Sequence, residues 1–280
     1  MKVLSMTTDG KLTYCSASPE NRVKGRCNHV EHQNENESQE DFVRRITGDL
    51  IKQASDNEKE EILNLKNSEK LEMIKNHKNL EILIDDKDCK IRVAVAEQGY
   101  GLDRLVDDKY FDVRKAVAEQ GYGLDKLVND DDPDIRVVVA KQGYGLDKLV
   151  NDENWYVRRA VAKQGYGLDK LINDKDLDVR KVVAEQGYGL DKLVNDENCE
   201  VRLSVVKQGY GLDKLINDEY WPIRKKVAEH GYGLEKLIKD KNWAVRKAVA
   251  KQGYGLEKLI NDENDEVRRI ARELLAKKED

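Results

Sequence analysis

The chain has few of the residue types that mark enzymes, secreted proteins or membrane proteins. Its 280 residues include four histidines, four cysteines and three prolines. Four widely spread cysteines do not form a disulfide framework, and we expect a reducing, cytoplasmic setting. No apolar run is long enough to cross a membrane, and Met1 to Gly10 lack the apolar core and cleavage site of a signal peptide.

An excess of charge of one sign is also missing. Charged residues make up 38% of the chain, yet the formal net charge is only -5. A dedicated nucleic-acid-binding protein usually has a basic excess, and this composition argues against that class.

What the sequence does contain is a repeat. The stretch Gly-Tyr-Gly-Leu-Asp begins at Gly99 and returns every 22 residues, and its last two copies carry Glu235 and Glu257 in place of Asp. Self-similarity at a fixed period of this size is typical of a solenoid, in which each unit buries its apolar face against its neighbours.

Residues Gly143 to Gln164 show how one repeat folds. We predict a short helix or 3₁₀ turn over Gly145–Val150 and a second helix over Trp155–Gln164. Asn154 is a favourable N-cap for the second helix, and Gly165 is expected to end it in the left-handed conformation. Val157, Ala160 and Val161 then form the buried stripe. Neither helix is long enough to be stable alone, so stacking of the repeats must provide the core.

The element Asp-x-x-x-x-Val-Arg-x-x-Val-Ala, as in Asp152 to Ala162, is similar to HEAT-like repeats and looks closest to the leucine-rich repeat variant family. The resemblance covers roughly residues 79 to 275. It implies a right-handed superhelix of alternating α- and 3₁₀-helices. The repeat is shorter than is usual in that family. An iron–sulfur module with four cysteines is also associated with the family, but only Cys15 and Cys27 lie near the start of this chain, so we expect no cluster.

We divide the chain into three parts. A β-hairpin module over 1–34 is predicted because Asp9-Gly10 separates two short apolar runs, a strong hairpin signal, and an irregular stretch follows it from Ser18 to His32. A linker and N-terminal helical cap follow over 35–78. The fold class is an all-α right-handed solenoid of two-helix repeats over 79–280, with degraded copies of the repeat within 57–98 and a C-terminal cap helix over Ile270–Lys278.

A candidate metal site lies in the first part. Two cysteines and two of the four histidines fall within 18 residues, and thiolate and imidazole are the ligands that zinc prefers. A unit this small and poor in large apolar side chains usually needs a cross-link to fold. The predicted structural zinc ligands are Cys15, Cys27, His29 and His32. The alternatives are an unliganded β-subdomain and, as a minor option, a reactive Cys27–His29 pair.

When the copies of the repeat are aligned, each position forms a column, and several columns carry the same residue in all or nearly all copies. An aspartate column starting at Asp108 and an arginine column starting at Arg114 predict an Asp–Arg ladder that ties successive repeats. A glutamine column, in which His230 is the exception, predicts hydrogen bonds to the backbone of a neighbouring repeat. A tyrosine column starting at Tyr100 is expected to pack on neighbouring turns. Eight equal copies do not indicate a catalytic site, and we predict that the protein is not an enzyme.

Two columns do vary, and they vary together. All three tryptophans share one column with Phe111, and a lysine or arginine lies four residues after each of these rings. Residues at i and i+4 touch on a helix surface, so cation–π pairing is one interpretation. The other is a partner-binding stripe, because Trp and Arg are enriched at binding hot spots. The stripe comprises Phe111, Lys115, Trp155, Arg159, Trp221, Lys225, Trp243 and Lys247.

The sequence therefore predicts a non-enzymatic scaffold that binds a protein or peptide, with no membrane and no small-molecule substrate. One alternative is nucleic-acid binding, since some HEAT-like solenoids are DNA glycosylases and aromatic rings beside cations suit single strands. A second alternative is an inhibitor that blocks a partner enzyme.

Overall fold

The computed structural model describes residues 3–6, 12–15, 30–32, 42, 45 and 55–279. The chain divides into two compact units, Met1–Gln98 and Gly99–Asp280. Within the described residues, no helix is both long and apolar enough to cross a membrane.

The first unit begins with a three-stranded antiparallel sheet. Its strands are β1 (Val3–Met6), β2 (Leu12–Cys15) and β3 (Val30–His32), in the order β1-β2-β3. The turn predicted at Asp9-Gly10 lies outside the described residues. Strand β3 lies at the end of the stretch Ser18 to His32, which was predicted to be irregular. It pairs with β2 such that Cys15 is opposite Val30 and Thr13 is opposite His32.

The predicted zinc site is only partly covered by the described residues. Cys27 and His29 lie outside them, whereas Cys15 and His32 belong to the neighbouring strands β2 and β3, two register positions apart. Among the described residues, no group of three or more His, Cys, Asp or Glu side chains could hold a metal ion. The zinc site therefore stays a prediction.

The helical part of the first unit already has the repeat pattern. Residues 55–64 are helical, and helices of nine, four and nine residues follow over Asn67–Lys75, Leu80–Leu83 and Cys89–Glu97. The chain enters the four-residue helix through Asn79, whose φ of 56° is the left-handed value that glycine takes in later copies. The degraded copies predicted within 57–98 thus fold as repeats.

The second unit is a stack of eight repeats, numbered 1 to 8 from Gly99 onward, each with a short and a long helix. The short helices are single α-helical turns over Leu102–Leu105, Leu124–Leu127, Leu146–Leu149, Leu168–Leu171, Leu190–Leu193, Leu212–Leu215, Leu234–Leu237 and Leu256–Leu259. The long helices are Phe111–Glu119, Pro133–Lys141, Trp155–Lys163, Leu177–Glu185, Cys199–Lys207, Trp221–Glu229, Trp243–Lys251 and Asp265–Glu279. The two-helix repeat is as predicted, although its short element is α-helical and not the 3₁₀-helix that the family resemblance implies. The right-handed superhelix stays a prediction.

Local sequence explains these boundaries. In repeat 3 the Asn154 side chain accepts a hydrogen bond from the backbone N–H of Tyr156 at 2.9 Å, which confirms the predicted N-cap. The helix is followed by Gly165 at φ 73°, which confirms the predicted left-handed glycine. A second such glycine, Gly167 at φ 62°, starts the next short helix. Every repeat therefore starts with a glycine pair, and in six of the eight an Asn or Asp side chain caps the long helix.

The core of the second unit is continuous through the stack. Val157, Ala160 and Val161 are buried as predicted, and Leu149 and Val150 from the short helix join them. Long helices of successive repeats pack against each other, and the short helices of repeats 2 to 7 pack against the long helices on both sides. Small and branched side chains at these positions permit close helix packing, so every repeat depends on its neighbours for burial.

The glycine pair yields a comparison between two adjacent sites. Alanine at Gly165 or Gly167 must adopt a left-handed backbone, at a cost of about 1–2 kcal/mol. At Gly167 the added Cβ would also lie 2.5 Å from Val150 Cγ2, whereas nothing lies within 4 Å at Gly165. We expect Gly167→Ala to lower the free energy of unfolding by about 1–3 kcal/mol more than Gly165→Ala. Urea denaturation of both variants measures this difference, and equal losses would contradict the clash.

The predicted Asp–Arg ladder is present throughout the second unit. In the rung between repeats 3 and 4, Arg158 Nε donates to Asp174 Oδ2 at 2.6 Å and Arg158 Nη2 donates to Asp174 Oδ1 at 2.8 Å. The same bidentate pair joins Arg114–Asp130, Arg136–Asp152, Arg180–Asp196, Arg202–Asp218, Arg224–Asp240 and Arg246–Asp262. Paired N–H donors facing a carboxylate fix both distance and orientation, so each rung sets the geometry between two repeats.

Each rung also organises the turn within its own repeat. The Nη1 of Arg158 donates to the carbonyl oxygen of Asp152 at 2.8 Å. The Asp174 Oδ1 accepts from the backbone N–H of Asp176 at 2.9 Å. In the first unit Lys70 and Asp86, both buried, form a pair with the same 16-residue separation at 2.6 Å. Lysine therefore continues the pattern in the first unit.

The rungs shift the pKa values of their acids. Burial by itself would raise the pKa of Asp174, but hydrogen bonds from Arg158 and from the Asp176 backbone outweigh it, so this pKa lies below its ordinary value of 3.8. The pKa values of Asp130, Asp240 and Asp262 are lowered for the same reasons. The native fold therefore favours the charged form of these carboxylates.

Removing one rung tests its contribution to stability. The side chains of Arg158 and Asp174 are 8% and 5% exposed, and breaking a buried ion pair leaves an unpaired charge. We expect Asp174→Asn to lower the free energy of unfolding by about 3 kcal/mol. The control Asp169→Asn alters an exposed acid on the short helix and should change stability by less than about 0.5 kcal/mol. Urea denaturation followed by circular dichroism compares the two, and similar losses would contradict a structural role for the ladder.

The lowered pKa values predict instability in acid. A carboxylate with a lowered native pKa stabilises the fold fully above its ordinary value of 3.8, and this contribution is lost as the pH falls through the lowered value. Because several rungs titrate together, we expect the urea midpoint to be similar at pH 7 and pH 5 and to drop sharply by pH 3. The Asp174→Asn variant, which lacks one titrating rung, should lose less over the same interval. An unchanged midpoint at pH 3 would be inconsistent with the ladder.

Candidate protein-binding surface

The rings of the predicted stripe lie at the first position of their long helices. Phe111, Trp221 and Trp243 are 44%, 39% and 43% exposed, and Trp155 is half-buried. Of the remaining members of this column, Pro133 and Cys199 are half-buried and Leu177 is exposed. A side chain at this position precedes the residues that face the core, so the column forms an apolar row on the surface.

Three further tyrosines flank this row, and the sequence analysis missed them. Tyr110 and Tyr156 are 41% and 54% exposed, and Tyr220 is half-buried. The rings of Trp155 and Tyr156 stack with centroids 3.7 Å apart. The signal was available in the sequence: of twelve tyrosines, eight belong to the invariant column and one is Tyr14. The other three all adjoin a stripe aromatic.

The predicted cation–π pairs are only partly present. Lys247 Nζ lies 5.6 Å from the centroid of the Trp243 ring, which confirms that pair. Among the described residues, Lys115, Arg159 and Lys225 make no such contact with Phe111, Trp155 and Trp221 respectively. Lys225 instead pairs with Glu229 on its own helix at 3.4 Å.

Two lysines at the fifth position of their long helices contact the next repeat. Lys181 Nζ lies 3.6 Å from Glu200, and Lys247 Nζ lies 2.9 Å from Glu266. In both cases the fifth residue of one long helix meets the second residue of the next, and we call this pair of positions a junction. A lysine in this column can thus be matched to an acid across a junction as well as to the ring in its own helix, and Lys247 makes both contacts.

Arg159 stands apart from the other stripe cations. Its Nε is buried and has no hydrogen-bond acceptor, the one such side-chain atom within the part of the chain that is described. No acid lies within ion-pair distance of its guanidinium among the same residues. A buried donor without an acceptor costs stability, so Arg159 is a site where an added acceptor would be favourable.

Other columns have structural roles. Gln142, Gln164, Gln208 and Gln252 donate through Nε2 to a backbone carbonyl oxygen of the preceding repeat, which confirms the predicted bonding for these four. The eight tyrosines of the invariant column are uniformly 40–43% exposed. Shallow grooves of about 660 and 590 Å³ follow the ladder, lined by pairs such as Arg224 and Asp240. A third groove, lined by Arg158 and Asp174, has the same arrangement, so these grooves arise from the stacking of the repeats.

The charge around the row is mixed. Acids occupy the second helical position at Asp112, Asp134 and Asp178, directly beside the apolar column. The cations Lys181, Lys225 and Lys247 are each paired with a glutamate. A phosphate backbone requires unneutralised cations, so this surface fits a protein better than a nucleic acid.

Comparison with known proteins adds little to this description. No family model matches the chain, and no curated protein matches it. Among solved structures, the chain is similar to a designed armadillo repeat protein in complex with the peptide (KR)4. The sequences are 17% identical, 80% of this chain and 91% of that chain are covered, and the TM-score is 0.12. At this TM-score the two do not superpose as whole chains. The chain is an α-helical repeat protein by its own structure, and the leucine-rich repeat variant resemblance stays a prediction.

Proposed function

We propose that the second unit binds a protein or peptide partner through the row of exposed rings. The observation that carries this proposal is that Phe111, Trp221 and Trp243 expose about two-fifths of their side chains while the core beneath them is complete. Exposed apolar patches of this kind are typical of protein-binding sites. Trp and Tyr are among the residues most enriched at the centres of such sites.

The rings are also held in place before binding. Trp155 and Trp243 follow the N-caps Asn154 and Asn242, and both helices are tied to the next repeat by a ladder rung. A surface that is rigid in the free protein loses little conformational entropy when a partner binds. The Asp–Arg ladder thus supports binding by fixing the spacing of the rings.

The same surface would serve a passive scaffold or an inhibitor of a partner enzyme. Both uses require a protein to lie against the row of rings. The nucleic-acid alternative is less well supported, because acids lie beside the row and two of the four stripe cations, Lys225 and Lys247, are already paired. It is retained as one outcome of the experiment.

The experiment is selection from a phage library of random 16-residue peptides. Three proteins are compared: the wild type, the Trp155→Ala/Trp221→Ala/Trp243→Ala variant, and a control, Tyr122→Ala/Tyr166→Ala/Tyr210→Ala. The control removes three rings that are each 42% exposed and lie in the invariant column. We expect the wild type and the control to enrich the same peptides. The tryptophan variant should bind them roughly 30-fold more weakly or not at all, as hot-spot truncation typically costs about 2 kcal/mol or more.

Enrichment of the same peptides by the tryptophan variant would contradict the proposal, as would failure of the wild type to enrich any. Binding of a labelled 30-nucleotide single strand is measured in parallel. Wild-type binding that weakens steeply with salt and is lost in the tryptophan variant would favour the nucleic-acid alternative.

A further inference from the structure

The seven junctions between repeats 1 and 8 are not equivalent. Five of them include a charged residue: Lys115 and Asp134, Arg159 and Asp178, Lys181 and Glu200, Lys225 and Ala244, and Lys247 and Glu266. The other two pair Val137 with Tyr156 and Leu203 with Pro222. The uncharged junctions are 66 residues apart, which is three repeats. This spacing divides the row of rings into sections.

A tryptophan lies directly before the second residue of each uncharged junction. The first apolar patch contains Val137, Trp155 and Tyr156, and the second contains Leu203, Trp221 and Pro222, with Tyr220 beside it. The members of both patches are exposed or half-buried. An ion pair, Lys181–Glu200, lies between the two patches, and Lys247–Glu266 lies beyond the second. The surface thus has two similar patches separated by charge.

A cation in the same position borders each patch. Arg159 and Lys225 are the fifth residues of the helices that carry Trp155 and Trp221. Among the described residues neither makes an ion pair across its junction, in contrast to Lys181 and Lys247. Lys225 pairs only with Glu229 of its own helix, at 3.4 Å and partly exposed, and Arg159 has the buried Nε without an acceptor. A carboxylate next to an apolar side chain would supply the missing acceptor at Arg159 and would share the exposed Lys225 with Glu229.

We infer that the two patches are equivalent binding sites. Each takes one short partner segment in which an apolar side chain packs on the tryptophan and a carboxylate accepts from Arg159 or Lys225. This inference rests on the proposed function and adds the chemistry of the segment and the number of sites. Neighbouring helices pack about 8–10 Å apart, so the sites are separated by roughly 24–30 Å. A partner with two such segments would gain affinity from binding both.

The test uses variants that retain one site each. Trp221→Ala keeps the first patch intact, Trp155→Ala keeps the second intact, and the double variant disrupts both. Tyr166→Ala is the matched control, because it removes a ring that is 42% exposed and belongs to the invariant column, outside the row of rings. The random peptide library is selected on every variant, and the enriched peptide is titrated calorimetrically. Circular dichroism verifies that each variant keeps the wild-type helix content.

We expect both single variants to enrich the same motif, an apolar residue close to Asp or Glu. The peptide should bind two per chain to the wild type and to Tyr166→Ala. It should bind one per chain with unchanged affinity to each single variant, and not at all to the double variant. Adding Arg159→Gln to Trp221→Ala should weaken binding about tenfold, since it removes a charged hydrogen-bond donor.

One peptide per wild-type chain, weakened by either single substitution, would show a single continuous surface. That result would overturn this inference and leave the proposed function intact. A motif without an acid, or binding that is insensitive to Arg159→Gln, would overturn the assigned segment chemistry. Absence of any enriched peptide on the wild type would overturn both proposals together.

Discussion

The bidentate pair between an arginine of one repeat and an aspartate of the next is the interaction on which the second unit depends. Helices of nine and four residues are too short to be stable in isolation, so the fold exists only when neighbouring repeats meet in one geometry. Apolar packing supplies most of the driving force but is weakly directional. The rung supplies direction, because two N–H donors must face two carboxylate oxygens while the third donor holds the turn of its own repeat.

This division of roles leaves the surface columns free to vary. Core, glycines and ladder use the same or similar residues in nearly every repeat, whereas the first, second and fifth positions of the long helices change. These positions lie outside the core and next to one another across a junction. A substitution there costs little in stability. Under the proposed function, the mixture of apolar and charged junctions is a property of the binding surface.

The row of rings and the ladder are connected through rigidity. Aromatic side chains at the start of capped helices cannot retreat into a core that is already filled, and the rungs fix the distance from one ring to the next. A partner would meet a surface whose spacing is set by the repeat itself. Under the proposal of two equivalent patches, affinity depends on how well the spacing of two partner segments matches three repeats.

The sequence by itself determined the period, the two-helix repeat, the Asn154 cap, the Gly165 terminus and the ladder, because each rests on local chemistry repeated many times. For Trp155, Trp221 and Trp243 it left two interpretations open, cation–π pairing within the helix and a partner-binding stripe. Only the tertiary structure decided what the fifth helical residue contacts. Lys247 approaches its own ring and also Glu266 of the next repeat, whereas Lys181 pairs across its junction. Spacing along one helix predicts neighbours at i and i+4. Contacts between repeats depend on how the helices stack, and the sequence of a single repeat does not specify that geometry.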